Sequence, residues 1–70
     1  MNPMVMVHRW YKHHGNGKSY YVNYRGKMKF NGSWKDAIFY QIIENGVLLQ
    51  FARETKHFKQ SFKLVEDGND

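Results

Sequence analysis

Ile38-Phe39-Tyr40-Gln41-Ile42-Ile43-Glu44-Asn45-Gly46-Val47-Leu48-Leu49-Gln50-Phe51-Ala52-Arg53 is the stretch that decides the fold. Its opening residues are β-branched or aromatic apart from Gln41, which suits a pleated, half-buried surface. Asn45-Gly46 favours a two-residue type I′ turn, because both residues tolerate a left-handed backbone. With that pair at the tip, Glu44 faces Val47, Ile43 faces Leu48, Ile42 faces Leu49, Gln41 faces Gln50 and Tyr40 faces Phe51. Side chains alternate across the ribbon. Ile38, Tyr40, Ile42, Leu49 and Phe51 therefore share one face, which reads as core. Phe39, Gln41, Ile43, Leu48, Gln50 and Ala52 share the other. The pairing of the two glutamines supports this register. The second face is still partly apolar, so either a further strand wraps over it or it is a contact surface.

Upstream, Lys18 to Arg25 alternates around Tyr20, Val22 and Tyr24 and reads as a strand entered from the Gly15-Asn16-Gly17 turn. Lys27 to Phe30 runs on to a second turn at Asn31-Gly32, and Arg9 to His13 reads as a short first strand. Downstream, Thr55 to Phe58 forms one helical turn. Ser61 to Val65 closes the fold with Phe62 and Leu64 inward. The predicted class is all-β: a small antiparallel barrel of five to six strands, with a short helical turn near residues 55–58. Closure also hides sheet edges. A competing arrangement starts a helix at Ser33, a fair N-cap, leading into Trp34 to Ile43 beside an open sheet.

The chain has 70 residues and no cysteine. That length makes one domain, which buries only about 60% of its unfolded surface. Two tryptophans, five tyrosines and five phenylalanines supply the bulk such a core needs. Absent cysteine excludes disulfides, thiol catalysis and cysteine-based zinc sites. Size excludes a large enzyme with a deep pocket. The expected division is a flexible segment 1–7, one domain over 8–66 and an acidic frayed tail 67–70. Met4-Val5-Met6-Val7, the longest apolar run near the N-terminus, is far too short to span a membrane. No membrane partner is expected, and the expected location is cytoplasmic.

Tyr11-Lys12-His13-His14, then Gly17-Lys18 and Tyr20-Tyr21-Val22, resembles the opening of a family of small SH3-like barrels found in phage and bacterial proteins. Phe39-Tyr40 before Glu44-Asn45-Gly46, then Phe51-Ala52-Arg53, and finally Phe58 and Phe62 continue the resemblance over residues 10–65. Glu54 stands where that family usually has proline, and Met28 to Trp34 departs from its pattern. The resemblance implies an SH3-like barrel and a phage or mobile-element origin. It implies no particular activity.

Charge is distributed unevenly. Residues 1–35 hold seven Lys or Arg and no acid, whereas all six acids lie from Asp36 onward with four bases. Aromatic rings are interleaved with the cations. Cations neutralise phosphates and rings stack bases, so Arg9, Lys12, Lys18, Tyr21, Arg25, Lys27, Lys29, Trp34 and Lys35 form the candidate nucleic-acid or partner-binding set. An acidic host protein is the other partner such a surface suits. The alternative is a phage-encoded inhibitor of a host protein, contacting it through Phe39, Ile43, Leu48 and Ala52. The same face also suits a homodimer. In the bland alternative most of the rings are core and the lysines only keep the domain soluble.

Gly17-Lys18-Ser19 mimics a phosphate loop, but Lys12 stands where the first glycine belongs and a strand follows. His8, His13, His14 and His57 lack the paired spacing of zinc ligands, so no metal site and no cofactor are expected. Ser19, Ser33 and Ser61 have no recognisable nucleophile context and no carboxylate pair stands out, so no catalytic residue is nominated and a non-enzymatic module is expected. Arg53 is expected to anchor a loop through backbone carbonyls rather than to bind a ligand. Trp34 is either an exposed contact residue or a plug for the open end of the barrel.

Overall fold

The structure, a computed structural model, describes residues 4–65. Its elements are β1 (Trp10–His13), β2 (Ser19–Phe30), β3 (Ser33–Glu44), β4 (Val47–Glu54), α1 (Thr55–Ser61) and β5 (Phe62–Leu64). The strands form one antiparallel sheet in the order β4-β3-β2-β1-β5. The protein is a small all-β domain with one short helix.

The β3–β4 hairpin has the expected register, from Glu44 opposite Val47 to Tyr40 opposite Phe51. Asn45 and Gly46 both have positive φ, at 52° and 77°. Asn31 and Gly32 repeat that geometry at the β2–β3 tip, with φ of 47° and 82°. The competing helix after Ser33 does not form, since Ser33–Glu44 is one continuous strand. A lone N-cap signal cannot outweigh strand pairing, in which β2 takes residues 33–41 of β3 and β4 takes residues 37–44.

β2 departs from simple alternation. Val22 pairs with Tyr40 but Tyr24 pairs with Phe39, so Asn23 is an extra residue in a β-bulge. The bulge sends Tyr24 to the outer face, away from Tyr20 and Val22, against the expected common face. There its ring stacks on Phe39, with centroids 4.6 Å apart. Gly26 makes room for that arrangement, because a Cβ there would lie 3.3 Å from the Phe39 ring.

The core gathers Val5, Tyr11, Tyr20, Val22, Ile38, Tyr40, Phe58 and Phe62. Phe58 and Phe62 stack at 4.1 Å, and Tyr40 meets both edge-on. Each buried tyrosine has a partner for its polar tip. Tyr11 Oη accepts from the Met6 amide at 2.9 Å, Tyr20 Oη from Asn16 Nδ2 at 3.0 Å, and Tyr40 Oη from Arg53 Nε at 3.2 Å. Phe62 is buried and Leu64 packs against the core, as expected of the closing strand.

One expectation needs correcting. Leu49 and Phe51 lie on the core side of β4 yet are 36% and 42% exposed, because β4 is an edge strand. No further strand among the described residues covers the second face of the hairpin. Val5 is buried in the core and Val7 packs against it. Residues 1–3 and the tail 67–70 lie outside the described residues.

Among the described residues no β4–β5 ladder closes the sheet into a complete barrel. Arg53 and α1 bridge that seam. Arg53 Nε donates to Tyr40, Nη1 donates to Ser61 Oγ at 3.3 Å, and the guanidinium lies 5.5 Å from the Phe62 ring centroid. The anchoring role expected of Arg53 is present, but its partners are side-chain oxygens rather than backbone carbonyls.

Candidate nucleic-acid interface

The β2–β3 hairpin outgrows its neighbours. β1 pairs with β2 only over Ser19, Tyr20 and Tyr21, and β4 pairs with β3 only from Ala37 onward. Beyond those limits Lys27 faces Asp36, Met28 faces Lys35, Lys29 faces Trp34 and Phe30 faces Ser33. Residues 27–36 are thus a two-stranded arm joined to the sheet at its root alone. The arm carries Lys27, Lys29 and Lys35 against Asp36, together with exposed Phe30 and Trp34.

Trp34 is 63% exposed, so it does not plug the barrel. Lys29 Nζ stands 5.9 Å from the Trp34 ring centroid, within cation–π range. Lys27 is paired with Asp36 at 2.9 Å. Lys29 and Lys35 have no ion-pair partner among the described residues.

The arm, α1 and the N-terminal segment border a groove of about 770 Å³. Val5, Tyr11, Phe58, Phe62 and Leu64 contribute its apolar floor. Lys27, Trp34, Lys35 and Asp36 line it from the arm, and Lys56 and Lys59 from the helix. Lys56 and Lys59 were not among the expected residues. Their i,i+3 spacing on one helical face was the available signal. Their approach to the arm depends on how the chain folds back between β4 and β5, which no local pattern encodes.

The nine expected contact residues are not gathered into one surface. Lys27, Lys29, Trp34 and Lys35 belong to the arm. Lys12 and Tyr21 lie at the other end of the sheet, where Trp10 meets Tyr21 edge-on at 5.3 Å, and Arg9 immediately precedes that strand. Arg25 pairs across from Ile38 and stays exposed. Lys18 is tied to Glu44 by an ion pair. The hydrogen bond to Glu44, and then its negative charge, raise the Lys18 pKa above the ordinary value.

The alternative patch is likewise divided. Ile43 pairs with Leu48 and Phe39 with Ala52, but Gln41 and Gln50 form a polar rung between these pairs. Ile43 and Leu48 are well exposed, whereas Phe39 is half-buried beneath Tyr24.

Among the described residues, no group of three or more His, Cys, Asp or Glu is placed to hold a metal ion, and no helix is long and apolar enough to cross a membrane. No protein-family model, curated protein or solved structure matches the chain.

Proposed function

We propose that this domain is a non-enzymatic binding module that holds single-stranded nucleic acid in the groove between the β2–β3 arm and α1. The observation that carries the reading is the convergence of lysines from two distant segments beside an exposed tryptophan. Lys35 on the arm and Lys56 and Lys59 on the helix border one groove and have no ion-pair partner among the described residues. Lysines so placed neutralise successive phosphates, while the Trp34 ring offers a stacking platform for a base. The apolar groove favours unpaired bases over a duplex, whose bases are already stacked on one another. The SH3-like resemblance and a phage or mobile-element origin belong to the same proposal.

Fluorescence polarisation of labelled single-stranded and duplex oligonucleotides, repeated across salt concentrations, tests it. With about three phosphates neutralised, log K should fall with log salt at a slope of about −2. Trp34→Ala should weaken binding by roughly tenfold, the loss of one stacked base. Lys56→Glu with Lys59→Glu should weaken it for every sequence alike. A flat salt response, or a Trp34→Ala protein that binds as the wild type does, would remove the proposal.

A further inference from the structure

The edge of β4 is a second exposed feature, apart from the groove. A strand edge exposes unpaired N–H and C=O groups, and proteins usually blunt it with lysine, proline, a bulge or a short strand. β4 has none of these. Val47-Leu48-Leu49-Gln50-Phe51-Ala52 carries no charge and no proline, and the β3–β4 ladder has no break in register. Val47, Leu48, Leu49 and Phe51 are all exposed, as is neighbouring Ile43.

The hairpin determines which backbone groups are free. In a two-residue turn of this kind, the flanking pair Glu44–Val47 exchanges both hydrogen bonds. Antiparallel pairs alternate between hydrogen-bonded and non-hydrogen-bonded. The backbone groups of Leu49 and Phe51 therefore point at β3, while those of Leu48, Gln50 and Ala52 point away from the sheet.

From this pattern we infer that β4 pairs antiparallel with β4 of a second copy, about a two-fold axis at Gln50. An axis perpendicular to the sheet preserves its two faces, so it must pass through a residue position. Centred on Gln50, it opposes Leu48 to Ala52 of the second copy and Gln50 to Gln50, and the free backbone groups of these residues meet their equivalents. On the outer face, Leu48 beside Ile43 then meets Ala52 beside Phe39 of the second copy. On the inner face, Leu49 meets Phe51. Each apolar pair is completed by the other, and no like charges oppose one another along the uncharged stretch.

The glutamine rung selects a second copy of this chain over a foreign strand. Asn23 Nδ2 donates to Gln41 Oε1 at 3.0 Å, and Gln50 Nε2 reaches the same oxygen at 3.5 Å. This row of amides ends at the edge, where the Gln50 carbonyl oxygen has no partner among the described residues. A Gln50 amide from a second copy, related by two-fold symmetry, both donates and accepts there. The row then continues across the interface.

Sedimentation velocity over a concentration series tests the inference, with backbone amide exchange of the same samples. The wild type should double its sedimenting mass as concentration rises. The Leu48, Gln50 and Ala52 amides should slow by at least tenfold over the same range, while those of Leu49 and Phe51 stay protected throughout. Gln50→Pro removes a free N–H without touching the β3–β4 ladder, since proline is tolerated on an edge with its nitrogen facing solvent. Leu48→Lys adds the usual edge guard. Both variants should remain folded by circular dichroism and sediment as monomers. A wild type that stays monomeric at every concentration overturns the inference. So does a dimer that persists in either folded variant, or one in which the Leu48, Gln50 and Ala52 amides exchange freely.

Discussion

Two hairpins in this domain share a turn and little else. The β2–β3 and β3–β4 tips are both Asn-Gly with nearly the same backbone angles. Yet the tip of β3–β4, where residues 42–44 pair with 47–49 alone, is tied to the body by Ile42, which packs against the core, and by the Lys18–Glu44 ion pair, while the outer part of β2–β3 pairs only with itself. The difference lies in the flanks. From Ala37 to Ile43 and from Val47 to Ala52 there is no charged residue, and Ile38 and Tyr40 root the hairpin in the core. Between Lys27 and Asp36 every turn-flanking segment carries lysine, and the large rings stay in solvent. The dipeptide sets the turn and the register. The side chains beside it decide whether the ribbon is held by the body or offered to a partner. β3 belongs to both regimes, and the border falls between Asp36 and Ala37, where β4 pairing ends.

The contrast breaks most visibly through large truncations. Phe58 is fully buried against Tyr11, Tyr40 and Phe62, the cluster on which the body of β3 rests. Phe58→Ala should cost about 3–5 kcal/mol. A domain of this size is stable by only about 4–10 kcal/mol, so much of its folded margin goes. Trp34→Ala, a larger truncation on the arm, should stay within about 0.5 kcal/mol of the wild type. Urea denaturation followed by circular dichroism measures both. Comparable losses would mean that the arm is part of the body after all.

A smaller effect sharpens the contrast. Gly32 and Gly46 have φ of 82° and 77°, and a Cβ at either site would meet nothing within 4 Å. Alanine at each therefore carries only backbone strain, about 1–2 kcal/mol. At Gly46 most of the cost should appear in global unfolding, because Ile42 and the Lys18–Glu44 pair tie the hairpin to the body close to its tip. At Gly32 the arm can open locally, so the global loss is capped at the free energy of closing the arm. Amide exchange should then quicken in the arm in Gly32→Ala and leave β4 unchanged. Equal global losses with no local change would show that the arm opens only with the whole domain.

The sequence revealed what is local. Asn45-Gly46 determines a turn, the turn a register, and the register the inward face of β3 down to Ile38 and Tyr40. Phe62 and Leu64 were legible by alternation alone. The bulge at Asn23 was not, because nothing within β2 distinguishes it. It follows from Phe39, one strand away, which takes Tyr24 as its stacking partner. Leu49 and Phe51 were misread as buried because alternation tells which side a residue faces, not whether anything lies over it. That depends on strand order, which leaves β4 at the edge. The groove was half legible. Its arm residues stood out by charge and aromaticity, whereas Lys56 and Lys59 join them only through the return of the chain at α1. Ser33 shows the reverse error, a sound local cap overruled by pairing with β2.

The least energetic prediction concerns the end of β2 opposite the arm. There Lys18 meets Glu44, joining the start of β2 to the tip of the β3–β4 hairpin. The pair is exposed, so solvent screens it and its contribution is small. Its sign with pH is nonetheless defined. Glu44 raises the folded-state pKa of Lys18 above the ordinary lysine value of 10.5, chiefly through the hydrogen bond and then through its charge. A group that holds its proton more tightly when folded stabilises fully below its unfolded pKa, and loses that contribution as pH rises through the folded one. Other lysines and the tyrosines also titrate in that range, so the wild-type curve alone cannot isolate the pair. The difference between wild type and Lys18→Met does, because the other groups are common to both. Their urea midpoints should differ slightly in favour of the wild type at neutral pH and converge above 10.5. A difference that persists in strong base would assign the effect of Lys18 to its aliphatic stem packing on the sheet, and the tip of the β3–β4 hairpin would then be held by contact rather than by charge.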